Sequence, residues 1–146
     1  MARPRRRGHA PAGVSDLLVL DAEGLSKAAA DDPRVQAWLE RARELDADLV
    51  ISAVTLAEVV RGVARDAGVN RVAKAAELWP AGEQLARHAG RLLAKAGSGA
   101  TIDALVAATA VAGLERHGAT HCVVLTSDPH DLGVLLTGEH VRIVGI

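Results

Sequence analysis

Four carboxylates stand where they could act as one group: Asp21, Glu58, Asp103 and Asp128. Asp21 directly follows the apolar run 17–20, and Asp128 lies just beyond a second run at 122–125. Short continuous apolar runs suit strands buried on both faces. In open α/β sheets, ligands bind beyond the carboxyl ends of such strands. Asp103 falls in the first turn of a helix predicted over 101–117, where the helix dipole favours negative charge, and it borders the apolar positions 102, 105, 106 and 109. Glu58 falls in a helix predicted over 54–65, on the side that carries Thr55 and Gly62.

Each acid has a local explanation when taken alone. Asp21 can cap the short helix after it, Asp128 before Pro129 can start a turn, Asp103 can be a dipole-favoured first-turn residue, and Glu58 can pair with Arg61 at i+3. The combination is harder to obtain from turn chemistry. Packed together without a partner, carboxylates repel and their pKa values rise. A divalent cation removes that penalty, and oxygen-only ligands suit Mg²⁺ or Mn²⁺. Such a site supplies activated water and charge neutralisation for phosphoryl chemistry. The residues alone therefore point to a metal-dependent phosphodiesterase.

The elements that would position these acids alternate between short strands and helices. Strands are predicted at 17–20, 49–51, 122–125 and 141–144. Helices are predicted at 24–30, from Asp32-Pro33 to Leu45, at 54–65, 70–78, 83–96, 101–117 and 131–136. Asp32 as N-cap with Pro33 at the first position starts one helix, Ser52 can cap another, and Gly118 ends the helix at 117. The helix at 101–117 carries the clearest apolar stripe: Ile102, Leu105, Val106, Thr109 and Leu114. This alternation predicts an α/β fold with a short, mostly parallel central sheet flanked by helices.

At these residues the chain resembles a PIN-domain ribonuclease of the kind that serves as the toxin in VapBC-type toxin–antitoxin pairs. Four blocks carry the resemblance, in the family's order, from about residue 16 to the end. They are Leu18-Val19-Leu20-Asp21, the segment from Ser52 through Glu58 to Gly62, the segment from Ile102-Asp103 to Ala110, and Leu125-Thr126-Ser127-Asp128-Pro129-His130-Asp131-Leu132. The resemblance implies a PIN-like three-layer sandwich over 14–146 and hydrolysis of RNA with one or two Mg²⁺ or Mn²⁺ ions. It makes Asp21, Glu58, Asp103 and Asp128 the catalytic set, with Asp21, Asp103, Asp128 and Asp131 as metal ligands; Asp128 and Asp131 are alternatives for the fourth acid. Thr126, Ser127 and Arg61 become candidate substrate contacts. It also implies an antitoxin partner whose peptide occupies the acidic groove, and a homodimer. The chain departs from the family pattern at Ala22-Glu23, where many toxins carry Thr-Ser, around Trp79-Pro80, where a strand is cut short, and in its long basic leader.

Composition narrows the alternatives. The 146 residues suit one domain, and 17 Lys+Arg against 18 Asp+Glu exclude a strongly charged disordered protein. One cysteine, Cys122, excludes a disulfide framework and fits a reducing cytoplasm. No apolar run is long enough for a bilayer. Residues 1–13 carry Arg3, Arg5, Arg6 and Arg7 and no acid, a solvated leader or a phosphate-contacting arm. With no Phe or Tyr and only Trp38 and Trp79, the composition predicts no aromatic platform for bases, so that any nucleic acid is handled through phosphates, metal ions and shape. His117 and His121 are four apart, but Gly118 stands between them and argues against a zinc pair. Two other readings remain: a PIN fold that binds RNA or protein without cutting, and a receiver-like phosphoacceptor, which needs a Lys late in the sheet. Lys27, Lys74 and Lys95 all fall in helical stretches.

Overall fold

The computed structural model describes residues 16–146; the basic leader predicted at 1–13 lies outside the described residues. The elements run β1 (Leu17–Leu20), α1 (Ala22–Ala29), α2 (Pro33–Glu44), β2 (Asp48–Ser52), α3 (Ala53–Val59), α4 (Asp66–Ala75), β3 (Glu77–Trp79), α5 (Glu83–Ala96), α6 (Thr101–His117), β4 (Cys122–Thr126), α7 (Pro129–Leu135) and β5 (Val141–Gly145). The strands form a sheet in the order β3-β2-β1-β4-β5, and every pairing is parallel. β1 lies at the centre, with Leu17 level with Asp48 on one side and Cys122 on the other.

Strand alternation divides the core into two layers. Leu17 and Val19 face α5, α6 and α7 and pack with Leu92, Val106 and Leu132. Leu18 and Leu20 face α1, α2 and α4 and pack with Leu25, Val35 and Val69. Burying a Leu or Val side chain fully is worth about 1.5–3 kcal/mol, so the short β1 holds both layers together. This is the predicted α/β sandwich, with an entirely parallel sheet.

Three local expectations differ from the structure. The helix predicted over 54–65 is only α3, because Asp66 captures the chain after it: its Oδ2 accepts from the backbone N–H of Arg61, Gly62 and Val63 at 3.1, 2.7 and 3.2 Å. The helix predicted over 70–78 is α4 followed by β3, a strand of three residues that carries no alternation to read. α6 is not a one-striped helix. Ala104, Ala107, Ala108 and Ala110 are buried beside Val106 and Thr109, whereas Ile102 is exposed. Alanine lets this helix pack closely on several sides. The helices predicted at 24–30 and 131–136 each begin two residues earlier, as α1 and α7, under the caps of Asp21 and Asp128. Two other predicted boundaries hold: Asp32 Oδ1 accepts from Arg34 N and Val35 N, and Gly118 ends α6 with a left-handed backbone at φ 57°.

β3 is fastened at the edge by His117 from the end of α6. Its Nδ1 lies 3.0 Å from Asp48 Oδ2, and its Nε2 lies 3.1 Å from Glu77 Oε2 without reaching hydrogen-bond geometry. Trp79 Nε1 donates to Glu77 Oε1 at 2.7 Å, and the Arg116 guanidinium covers the Trp79 ring at 4.9 Å. His117 is thus spent on two carboxylates of the sheet rather than on a zinc pair with His121. Replacing His117 by Ala is expected to cost about 1 kcal/mol, because it removes the ring that bridges the partly exposed carboxylates of Asp48 and Glu77. Urea unfolding followed by tryptophan fluorescence measures the loss; a midpoint equal to wild type would show that the latch contributes nothing.

Candidate functional site

The strand order places the site. The chain runs outward from β1 through β2 to β3, then returns to the other side of β1 with β4. Between β1 and β4 the helical connections diverge, which opens a crevice at their carboxyl ends. Asp21 and Asp128 both belong to this end.

Asp21 is the N-cap of α1, and its Oδ1 accepts from Gly24 N at 2.7 Å. Its own N–H donates to Leu125 O, which ties the end of β1 to the end of β4. Gly24 is what lets α1 approach: a Cβ there would sit 3.0 Å from the Leu125 carbonyl. Asp128 is the N-cap of α7 and accepts from Asp131 N at 3.2 Å. The local cap expected of Asp21 is therefore met, and Asp128, expected to start a turn, caps α7. Each such bond engages only one oxygen, Oδ1, of its carboxylate.

The acids also share one electrostatic field. Glu58 has its carboxyl pKa raised, first by burial and then by repulsion from Asp103 and Asp21. Asp103 is raised as well, first by burial and then by Asp131, Asp128 and Asp21. Five acids from four elements are thus linked through Asp103 and Asp21, and Asp21 acts on both perturbed groups. Among the described residues, however, no three His, Cys, Asp or Glu side chains stand close enough together to hold a metal ion as placed. The arrangement is a shared field of negative charge and not a closed ligand shell.

Two features bear on whether a divalent cation suits this field. The donors are all oxygens, the set preferred by Mg²⁺ and Mn²⁺. The Thr55 hydroxyl, one helical turn before Glu58, is fully buried, and its Oγ1 has no hydrogen-bond partner among the described residues. A buried oxygen left so costs about 1–3 kcal/mol unless something fills its lone pairs. The donor chemistry and the unrelieved repulsion fit a hard cation.

The family model for the PIN domain matches residues 18–130 of this sequence. The chain belongs to the PIN-domain family. PIN domains are generally nucleases and are typically dependent on divalent metals. This PIN domain also resembles a chain in the crystal structure of VapBC2 from Rickettsia felis bound to a DNA fragment from their promoter. The TM-score is 0.67 at 14% identity, covering 89% of this chain and 98% of that one. At that identity the likeness concerns the fold. No curated protein matches the sequence.

The remaining candidates in the PIN domain take different places. The Arg61 guanidinium lies across the end of α3 and donates to the carbonyls of Ala57, Glu58 and Val60. It bonds the backbone there, in place of the i+3 side-chain pair with Glu58. Thr126 is buried, and its Oγ1 accepts from Asp128 N at 2.9 Å, which shapes the turn that carries Asp128. Ser127 and His130 are exposed. Lys27, Lys74 and Lys95 sit in α1, α4 and α5, away from strand ends, which disfavours the receiver-like reading.

Two residues escaped the sequence reading. Thr55 was seen only as a neighbour of Glu58. Asp66 was not singled out: burial pushes its carboxyl up, but the three N–H donors of Arg61, Val63 and Gly62, with Arg65, outweigh that and hold the pKa below the usual range. It fixes the loop that follows α3 and Glu58. Cys122 is a buried strand residue whose thiol is pushed up to about 12 by burial. It is expected to resist iodoacetamide at pH 8 in the folded protein and to react on unfolding, read by mass spectrometry. Fast labelling of the folded protein would contradict that placement.

Proposed function

We propose that this PIN domain is a metal-dependent ribonuclease, the toxin of a type II toxin–antitoxin pair. The observation that carries the reading is the acid field at the divergence of β1 and β4. There Asp21 raises both Glu58 and Asp103, in a family of nucleases. Asp21, Glu58 and Asp103 are the residues that would hold Mg²⁺ or Mn²⁺, with Asp128 or Asp131 as the fourth acid. When bound, the ion supplies a more acidic water and neutralises charge on the phosphate.

The chain's own residues have separable tasks. The α1 cap fixes Asp21, and the Thr126–Asp128 turn fixes the far wall. Glu58, whose carboxyl holds a proton more readily than an ordinary glutamate, is suited to take one from the attacking water. Ser127, exposed in the turn that carries Asp128, and Arg61, exposed at the end of α3, are the proposed contacts for the RNA backbone, with Thr126 shaping the turn of Ser127 and Asp128. The acidic groove suits an antitoxin peptide that presents an Arg. The Rickettsia felis neighbour, a VapBC2 assembly, supports that partner. Homodimerisation and a cytoplasmic location complete the proposal.

A second reading is a PIN fold that binds RNA or protein without catalysis. It is favoured by one observation, that the acids do not stand at ligand spacing. Incubating the purified protein with single-stranded RNA in Mn²⁺ or Mg²⁺ separates the two. Cleavage that stops with EDTA and returns with added metal is expected. Retention of intact RNA on the protein under the same conditions would overturn the ribonuclease and leave the binder.

A further inference from the structure

A cavity of about 560 Å³ opens at the end of the sheet opposite the acids. Its apolar wall is the beginning of β1, β4 and β5, at Leu18, Cys122 and Val141. Asp21 lies three residues along β1 from Leu18, about 10 Å at 3.3 Å per residue, so the cavity and the acid field are separate places on one strand. Its volume falls in the range of small-molecule and cofactor sites.

The chemistry of the lining is asymmetric. On one side, the Arg142 guanidinium stands over the Trp38 ring at 5.9 Å, giving a flat, cationic and partly apolar surface. Around it lie Arg41, His121 and His140, against one lining acid, Glu139. Arg41 pairs with Glu44 at 3.1 Å, but both side chains are largely in solvent, so that pair is weak and readily exchanged. A ligand that suits this lining has a planar ring to stack on an arginine–indole pair and an anionic group for a second guanidinium. A purely apolar ligand would leave the cations without partners, and a simple anion would leave the apolar wall uncovered.

We propose that this cavity binds a nucleoside phosphate, with the base on the Trp38–Arg142 pair and the phosphate toward Arg41, His121 and His140. Stacking of bases on indole and guanidinium planes, and charge-assisted bonds from arginine to phosphate, are the general basis of such recognition. The ligand is either a free mononucleotide or one nucleotide of an RNA strand. The proposal deepens the ribonuclease reading, since a nucleoside phosphate is the repeating unit of that substrate.

The test is a calorimetric titration of the full chain with adenosine and uridine 5′-monophosphates and, separately, with a single-stranded RNA trinucleotide. EDTA is present throughout, so that nothing is cut. Saturable binding with a Kd of roughly 0.1–1 mM is expected. Arg142→Ala and, independently, Arg41→Glu should each weaken it about tenfold, whereas Arg87→Ala, on the exposed face of α5 outside the cavity, should leave it unchanged. Arg41→Glu lies on an exposed helix face and keeps the test decisive if Arg142→Ala disturbs β5. Binding of the mononucleotides identifies a free ligand; binding of the trinucleotide alone identifies a strand. No saturation by either probe at 10 mM, or binding that both arginine variants leave at wild-type strength, would overturn the proposal. RNA cleavage, assayed on its own with metal present, reports on the acid field and can fail or succeed independently.

Discussion

Asp103→Asn is expected to lower RNA cleavage by about 100-fold or more while leaving the protein folded and slightly more stable than wild type. The two effects share one cause. Asp103 is held above its ordinary pKa by burial and by Asp131, Asp128 and Asp21, so its ionised form is disfavoured in the folded state. An amide of the same shape removes that repulsion, and it should also let the Glu58 carboxyl fall back toward its ordinary range, since Asp103 is one of the groups that raises it. The same change removes an anionic oxygen from the proposed metal set and its share of the proton-handling chemistry, which is worth about 10²–10⁴ in rate in positioned acid–base systems. The measurements are cleavage rate in saturating metal and Tm without metal. A variant that cuts as fast as wild type would remove Asp103 from the catalytic set. A variant that loses both activity and Tm would show that Asp103 is a structural residue whose charge the fold requires. Only loss of rate with Tm held or raised supports a carboxylate kept for chemistry at a cost in stability.

The parts legible in the sequence were those whose signals are local. The run Leu17–Leu20 ending in Asp21 announces a buried central strand with an acid at its carboxyl end, and β1 is that strand. Asp32-Pro33 announces a helix start through one side-chain acceptor and one fixed φ, and both are used. The parts not legible depend on groups distant in the chain. β3 has three residues, and what makes it a strand is its pairing with β2 and the grip of His117, at the far end of α6, on Asp48 and Glu77. Asp66 stands one residue past the helix predicted to end at 65, where no local pattern marks it. Its role appears only when three consecutive N–H groups turn toward it, and that turn is what stops α3 one residue after Glu58. α6 misled by composition: a stripe of Ile, Leu and Val implies one buried side, whereas its alanines let neighbours approach on several. For the site, sequence order gave the acids and their elements. Ligand spacing is a matter of rotamers and small helix shifts, which no residue pattern encodes, and the acids stand near one another without reaching it.

Divalent cations are expected to raise the Tm of the wild-type protein, and to do so much more at pH 7 than at pH 4.5. Glu58 and Asp103 have folded-state pKa values above their unfolded ones. Between those values the folded state binds more protons than the unfolded state, so stability falls as pH rises through the window and the penalty is complete at neutral pH. Without metal, Tm should therefore increase as pH is lowered from 7 through the raised carboxyl range. Asp66 works in the opposite sense: its pKa is lowered, so its contribution is present above the unfolded value and disappears as pH falls through the folded one. The metal-free Tm should accordingly pass through a maximum on the acid side of neutrality, and Asp66→Asn should blunt the fall beyond it. A cation that occupies the acid field relieves the same repulsion that protons relieve, so the two compete. At a free Mn²⁺ concentration about 100 times its Kd, linkage gives about 2.7 kcal/mol. For a domain near this size that is a rise of roughly 5–10 °C. In Asp21→Asn and Asp103→Asn the increment should shrink to little or nothing, because each removes a charge from the shared field. An equal rise in both variants would place the ion elsewhere on the protein. No rise in wild type at 10 mM Mn²⁺, with the acid-side maximum still present, would mean that the repulsion is real and the carboxylates do not gather around a cation, which is the condition under which the PIN fold binds without cutting.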